Sequence, residues 1–263
     1  MRRHFKAVIS RNTALTPHHN LLTLALPDDA QVPSPGQFYM VEVHKGNDPL
    51  LKRAFSLFRK TDRSVQILFR VQGRGTAILR EMPEASSLDL LGPLGTFYPL
   101  PSSEKTAVVI AGGIGIASVF SLVEEIGRQA VVFIGARTAD ELFALQDLQG
   151  LARAVTVCTD DGSAGVKGLV TAAADRFLAT IDPRRCCIYA CGPMPMLSEV
   201  ARIAEQRKIA AYVSLEEHMA CGIGACLGCV VKVKPRDFAA DESSVYQRVC
   251  KEGPVFDSRD IAW

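Results

Sequence analysis

The sequence predicts a multi-domain β and α/β protein: an antiparallel β-barrel over residues 1–100, a parallel-sheet α/β domain over 101–215, and a small C-terminal module over 216–263. Three observations carry this reading. Up to about Leu100, short apolar runs are separated by clusters of Pro, Gly, Asn and Asp. From Thr106 onward, strand-like runs alternate with helical ones. The last stretch is rich in Cys and Gly and short of helical pattern. At 263 residues the chain is long for one domain, and 48% hydrophobic against 22% charged residues gives it a sizeable core.

The elements follow in order. "FKAVIS", "NLLTLAL", "QFYMVEV", "VQILFRV" and "SLDLLG" read as strands, with turn-forming stretches such as "PDDAQVPSPG" and "HKGNDP" between them. Many short strands at this spacing predict an antiparallel barrel. "YPLPSSEK" (98–105) reads as a linker. "TAVVIAGG" is a buried strand meeting a glycine turn, and "IASVFSLVEEIGRQ" is the helix after it. Then come strand "AVVFIGA", helix "ADELFALQDLQGL", strand "AVTVCT", helix "LVTAAADRFLAT", strand "CCIYACG" and helix "MLSEVARIAEQRK". This alternation predicts βαβ units on a parallel sheet.

Composition excludes several classes. The net charge is +2 with acids and bases mixed along the chain, so nucleic acid is not an expected partner. No run of 18 apolar residues occurs, so no transmembrane helix is expected. The basic start "MRRHFKAVISRN" has too short an apolar run for a secretory signal. The expected compartment is the cytoplasm, where eight cysteines point to metal or redox chemistry rather than disulfides.

Those cysteines are unevenly placed. Cys221, Cys226 and Cys229 fall in "ACGIGACLGC" with x4 and x2 intervals, and Cys250 follows after twenty residues. This is the plant-type [2Fe–2S] spacing. Two irons with bridging sulfides need four converging thiolates, and a loop wrapped that closely needs the small residues Gly222, Gly224, Ala225 and Gly228. Zinc is the alternative, but structural zinc sites usually pair two C-x2-C units. Cys158, Cys186 and Cys187 fall in predicted buried strands, where free cysteine serves as a small apolar residue.

Gly112, Gly113 and Gly115 lie between a strand and a helix, where a pyrophosphate can approach the backbone. Ser118 stands where a third motif glycine would be, and a turn without ligand is the alternative reading. Cys191, Gly192 and Pro193 end a later strand, and two such turns at strand ends could frame one dinucleotide. In the first domain, "RAFS" (53–56) and "FRVQGRGT" (69–76) read alone as a strand edge and a turn. His18 and His19 read as surface turn residues, and His218 as shaping the cysteine loop. Arg137 and Thr138 could approach a ribose 2′-phosphate or form a solvated turn.

In this order, R-x-F-S, G-x-G-T, G-G-x-G and C-G-P resemble the ferredoxin–NADP reductase superfamily. "LEEHMACGIGACLGCVV" and "VCKEGPVF" narrow the resemblance to the electron-transfer subunits of class B dihydroorotate dehydrogenases, over essentially the whole chain. The resemblance implies an FAD-binding barrel, a Rossmann-like NAD domain and a [2Fe–2S] module. It places Arg53 on the FAD pyrophosphate, Ala54, Phe55 and Ser56 near the flavin, Leu68, Phe69 and Arg70 along the flavin and ribityl chain, and Gly75 and Thr76 on phosphate. It makes Ser56 a candidate catalytic residue; Cys191, at a strand end beside Gly192, is the other, with its side chain expected near the nicotinamide and a buried core residue as the alternative reading. Ala54 departs from a common proline, and Val166 stands where histidine is expected.

The implied function is electron transfer between NAD(H) and an FMN-containing dihydroorotate dehydrogenase catalytic subunit in pyrimidine biosynthesis, in a heterotetramer of two of each. A hydride carries two electrons and an iron–sulfur cluster accepts one, so a flavin belongs between them. The alternatives are the small subunit of a related ferredoxin or sulfide oxidoreductase, and a redox-sensing or zinc-stabilised adaptor without flavin. The spacing makes one clear prediction. Cys250→Ser lowers iron and sulfide content and the [2Fe–2S] signal, whereas Cys187→Ser leaves both intact; wild-type iron content in Cys250→Ser would exclude that ligand.

Overall fold

The computed structural model describes residues 3–44, 46–61, 63–235 and 245–263. Lys45, within the expected turn "HKGNDP", and residues 236–244, within the expected C-terminal module, lie outside the described residues. Residues 3–94 form a seven-stranded antiparallel sheet. Its elements are β1 (Arg3–Thr16), β2 (His19–Ala25), β3 (Phe38–Glu42), β4 (Arg53–Ser56), β5 (Arg59–Lys60), β6 (Ser64–Arg70), the short helix α1 (Arg74–Arg80) and β7 (Ser87–Leu94). The spatial order is β4-β3-β7-β1-β2-β6-β5. The edge strand β4 also comes against β6, so the sheet curls on itself. Alternate residues such as Leu22 and Leu24 of β2 and Val65 and Ile67 of β6 are fully buried inside it.

The second sheet holds β8 (Thr106–Gly112), β9 (Ala130–Ala136), β10 (Ala154–Thr159), β11 (Val166–Lys167), β12 (Cys186–Cys191) and β13 (Ala211–Ser214). Between them run α2 (Ile116–Ile126), α3 (Leu145–Leu151), α4 (Val170–Leu178) and α5 (Met194–Arg207). These strands are parallel, and both faces are covered. Ala107, Val109 and Ala111 of β8 pack in one apolar cluster with α2, and Val108 and Ile110 pack in another with α4 and α5. The sheet order is β11-β10-β9-β8-β12-β13, with a C-terminal strand, β16 (Val255–Asp257), outside β13. The chain therefore starts at β8, moves outward on one side, and returns on the other with β12. The reversal point between β8 and β12 is where a ligand crevice opens in such sheets.

The C-terminal residues add β14 (Val230–Lys232) paired with β15 (Tyr246–Arg248), and β16 (Val255–Asp257). β16 does not stay with the cysteine loop. It pairs antiparallel with β13 at the edge of the second sheet. Gly253 O accepts from Thr96 N at 2.6 Å, just after β7, and Leu215 N donates to Pro254 O at 2.9 Å. The Thr96 hydroxyl donates to Val255 O at 3.0 Å and accepts from Val255 N at 3.1 Å. Residues 253–257 thus fasten all three parts together. A separate joint lies on the far side. Arg59 pairs with Glu124 (2.8 Å) and Asp147 (3.2 Å), and Phe58 packs on Phe120 with ring centroids 4.6 Å apart.

Three expectations are corrected. The run "ADELFALQDLQGL" is not one helix: a 3-10 turn over Ala139–Glu141 precedes α3, and Ala144 sits at φ 58°. The break turns Phe143 inward onto the His19 ring, 4.7 Å away. His19 is accordingly a buried residue of β2 rather than a surface turn. The Gly73–Thr76 stretch opens α1 instead of remaining a plain turn. The 98–105 stretch is the expected linker between β7 and β8, and it begins with Tyr98, which is 1% exposed and lies edge-on to Tyr189. Among the described residues no helix is long and apolar enough to cross a membrane.

The tail contact is open to test. Thr96→Val keeps the shape but leaves the Val255 amide without the hydroxyl; the expected loss is about 1–3 kcal/mol of stability in a denaturant midpoint measurement.

Candidate functional site

Two clefts and one loop meet at the end of the second sheet. The first cleft, of about 570 Å³, opens at the carboxyl ends of β8, β9, β10 and β12. Gly112, Gly113 and Gly115 line it, with Gly192 and Pro193 opposite. Gly113 adopts φ +53° with nothing near the Cβ position, so its backbone is open to a ligand. Gly115 is pressed on the end of β12: a Cβ there would lie 2.3 Å from Cys191 O. The two glycine-bearing strand ends read from the sequence therefore do come together.

Cys191 is placed otherwise than expected. It is fully buried and does not line the cleft. Its thiol lies behind the wall, near Ser118 and Ser214, and burial pushes its pKa well above the usual thiol range.

The second cleft, of about 890 Å³, is lined by Arg53, Ala54, Phe55, Ser56, Leu68, Phe69, Arg70, Gly75 and Thr76. These are all the residues expected there, drawn from β4, β6 and the start of α1. The Arg53 guanidinium lies over Gly75, where a Cβ would come within 2.6 Å of Arg53 Nε. Only glycine leaves it that room, and an arginine so held is suited to phosphate. The Thr76 hydroxyl is occupied with its own turn: it accepts from Gln72 N and Gly73 N and donates to Gly73 O. Phe55 and Phe69 pack 5.4 Å apart on the same wall.

Three residues, Arg70, Ile114 and Glu216, line both clefts, so the clefts are contiguous. Sequence reasoning passed over Glu216. It faces the open junction, but protein surrounds it on its other sides, and this burial raises the carboxyl's pKa. His218, Met219 and Ala220 continue along the second cleft, and Cys221 follows at once. A signal for Glu216 existed in its position two residues after a short strand, but β13 itself is too short to stand out from the helix before it.

The cysteines form two pairs. Cys221 lies against Cys226, and Cys229 against Cys250. Cys229 and Cys250 are buried, whereas Cys226 is exposed. Cys221 Sγ accepts N–H bonds from Ile223 (3.5 Å) and Ala225 (3.3 Å), and Cys229 Sγ accepts from Cys250 N (3.4 Å). Burial pushes the Cys221 thiol up, but the amide donors outweigh it and bring the pKa to about 6. Burial and its neighbour Cys229 push Cys250 up to about 12. Gly222 has φ +69°, and a Cβ there would lie 2.5 Å from Met40 Cγ of β3, so the loop is pressed against the first sheet.

Among the described residues no three His, Cys, Asp or Glu side chains close around one point as a single metal ion requires. The two thiol pairs, each with N–H donors at its sulfurs, suit a two-iron cluster with two thiolates per iron. Arg248 ties the loop down: Nη1 donates to Gly224 O at 2.9 Å, and the rest of the fork holds Glu252.

Fold and site together define a ferredoxin reductase-type oxidoreductase carrying an iron–sulfur loop. Residues 109–202 match the family "Oxidoreductase NAD-binding domain", and residues 216–262 match "Iron-sulfur cluster binding domain of dihydroorotate dehydrogenase B". The NADH-dependent reduced ferredoxin-NADP oxidoreductase shares the fold with a TM-score of 0.80 at 24% identity, over 98% of this chain and 90% of that one. A Neisseria gonorrhoeae ferredoxin NADP+ reductase does so with a TM-score of 0.66 at 18% identity, over 78% and 91%.

Two curated relatives are named dihydroorotate dehydrogenase B (NAD(+)), electron transfer subunit. The one from Caldanaerobacter subterraneus is 36% identical over 87% of each chain, and that from Desulforamulus reducens is 34% identical over 98% of each. The chain belongs to the family of dihydroorotate dehydrogenase B electron transfer subunits.

The role of the Arg248 clamp can be measured. Lysine cannot span Gly224 O and both Glu252 oxygens. Arg248→Lys should shorten the half-life of the cluster's visible absorbance in air by about fivefold, the scale of one lost hydrogen bond.

Proposed function

We propose that the chain carries electrons from an FMN-containing catalytic subunit that oxidises dihydroorotate, by way of a [2Fe–2S] cluster on Cys221, Cys226, Cys229 and Cys250 and FAD in the second cleft, to NAD+ at the first cleft; with NADH as the donor the same route runs in reverse. Net flux in the complex runs toward NAD+ when dihydroorotate is the donor. The observation that carries this is the continuity of the segment from Leu215 to Cys221, which lines both clefts and then enters the cysteine loop. A bound flavin supplies the exchange between a two-electron hydride and single electrons, and the cluster supplies one-electron transfer.

The chain's own residues do the positioning. Arg53, held over Gly75, takes the FAD pyrophosphate, and the backbone of the Gly75–Thr76 turn supplies further N–H donors. Ala54, Phe55 and Ser56, with Leu68, Phe69 and Arg70, form the wall against which the flavin rests. Gly112, Gly113 and Gly115 take the dinucleotide pyrophosphate at the start of α2, and Gly192 and Pro193 close the nicotinamide end. Ser56, on the same wall, is the candidate catalytic side chain that would lie beside a bound flavin. Cys191 acts as a positioning residue: its backbone fixes the distance between the β12 end and Gly115. Glu216 sits at the junction of the two clefts, where its carboxyl closes the shared wall.

We assign residues 1–100 to FAD, 101–215 to NAD and 216–263 to the cluster, with β16 crossing back to the NAD sheet. The assembly we propose has two copies of each subunit, in the cytoplasm, where free thiols stay reduced. An absorption spectrum tests the reading directly: NADH added without air should bleach both flavin and cluster bands, and a flavin band that bleaches alone would break the route. A charge-assisted bond from Arg to phosphate contributes about 1.5–3 kcal/mol. Arg53→Ala should therefore weaken FAD binding about tenfold to a hundredfold in a titration of the flavin-free protein.

A further inference from the structure

The first cleft is not built by the second sheet alone. His19, the first residue of β2, lines it from the side of the antiparallel sheet. Only 5% of this residue is exposed. Two neighbours hold its ring. Nδ1 lies 2.9 Å from the Thr16 hydroxyl oxygen, and the Phe143 ring packs on the imidazole with centroids 4.7 Å apart. The Thr16 oxygen also accepts from His18 N at 3.1 Å. Its own hydrogen is then free to go to Nδ1, which puts the neutral ring's hydrogen on Nε2. When the ring is protonated, the hydroxyl turns to accept from Nδ1, and Nε2 still carries a hydrogen.

Nε2 is therefore a donor in both states. Thr16 and Phe143, which hold the other edge of the ring, line a separate pocket beside the first cleft. The two nitrogens of an imidazole point in nearly opposite directions, so Nε2 is turned from that pocket toward the cleft. Among the described residues nothing accepts from it. A donor held this far from water is costly to leave unpaired, and a ligand that brings an acceptor removes the cost.

The place of His19 along the cleft says which acceptor. It faces Arg70 across the β2–β6 ladder, and Arg70 lies on the wall shared with the second cleft. A nicotinamide must lie there to reach a flavin. On the other side stand Arg137 and Glu141, paired at 3.2 Å just beyond β9. His19 is close enough to feel both Arg70 and Glu141, so it stands between the two ends. The middle of a dinucleotide is its diphosphate, and β6 packs on the Gly113–Gly115 turn assigned to it. Burial and Arg70, with His18 acting the same way, hold the imidazole below the ordinary histidine value against the pull of Glu141. The ring is neutral at neutral pH until an anion arrives. A diphosphate then favours its protonated form.

We propose that His19 is a ligand of the dinucleotide diphosphate, reaching it with Nε2–H from the antiparallel sheet on the side opposite the glycine turn, so that a bound NAD(H) is gripped by both sheets. This rests on the reading of the first cleft as the dinucleotide site.

The test is calorimetric titration of the FAD- and cluster-loaded protein with NAD+, and with ADP-ribose, which keeps the diphosphate and lacks the nicotinamide. It is run at about pH 6 and about pH 8, in buffers of different ionisation enthalpy, to bracket the histidine range. A pKa raised by the ligand means that affinity rises as pH falls through the value in the complex and levels off below the value in the free protein. The wild type should bind both ligands about threefold to tenfold more tightly at the lower pH, with proton uptake. His19→Phe keeps the packing on Phe143 and should weaken both ligands about tenfold at the lower pH. His19→Gln keeps a neutral donor and should bind more tightly than His19→Phe, but without the gain on acidification. His18→Gln, at the exposed neighbour outside both clefts, should behave as the wild type. Flavin and cluster absorbance at wild-type levels shows that each variant is folded. Unchanged affinity in both His19 variants, a loss that leaves the pH dependence in place, or an equal effect of His18→Gln would overturn the inference alone. A wild-type protein that binds neither NAD+ nor ADP-ribose would overturn the dinucleotide site itself.

Discussion

The structure depends on one contact, the return of residues 253–257 to the sheets they follow. β16 extends the second sheet while its flanking backbone bonds Thr96, at the end of the first. The cysteine loop is therefore anchored at both ends: by β13 and Leu215 before it, and by Pro254 and Val255 after it. One apolar cluster runs through all three parts, joining Phe38, Met40 and Leu94 to Cys229 and Cys250 and to the β8–α5 layer. A cluster loop attached by a free linker would leave the distance to the second cleft undefined. Anchored this way, it cannot move away from Met40 without breaking both pairings.

The electrostatics follow from that anchoring. Four thiolates brought this close repel one another, and burial of Cys250 makes its charge harder to carry. The loop offsets this with amide N–H groups aimed at Cys221 and Cys229, and with the Arg248 fork at its rim. Glycines at positive φ are what turn those amides toward the sulfurs.

Much of this was legible in the sequence. The alternation from Thr106 onward marks β8, α2, β9, β10, α4, β12 and α5, because fully buried parallel strands read as continuous apolar runs. The cysteine spacing marks the loop, because four thiolates and small residues at fixed intervals have few other uses. The residues of the second cleft came from a resemblance, and the structure gathers them all on one wall. Other features left little local trace. β13 and β16 are four and three residues long and become strands only by pairing, β13 with β12 and β16 with β13. Ala144 breaks a run of helical pattern because Phe143 is drawn to His19, a partner more than a hundred positions away in sequence.

By itself, then, the sequence determined which chemistry the chain can support: the thiol spacing, the glycine turns and the order of strands and helices are local properties, set by neighbours within a few residues. Tertiary structure alone decided how those pieces communicate. That Cys191 lies behind a wall rather than on it and that Glu216 stands where two clefts join both depend on which surfaces come together after the chain closes. Such contacts are set by burial and pairing between distant segments, and these are not encoded in any short window of residues.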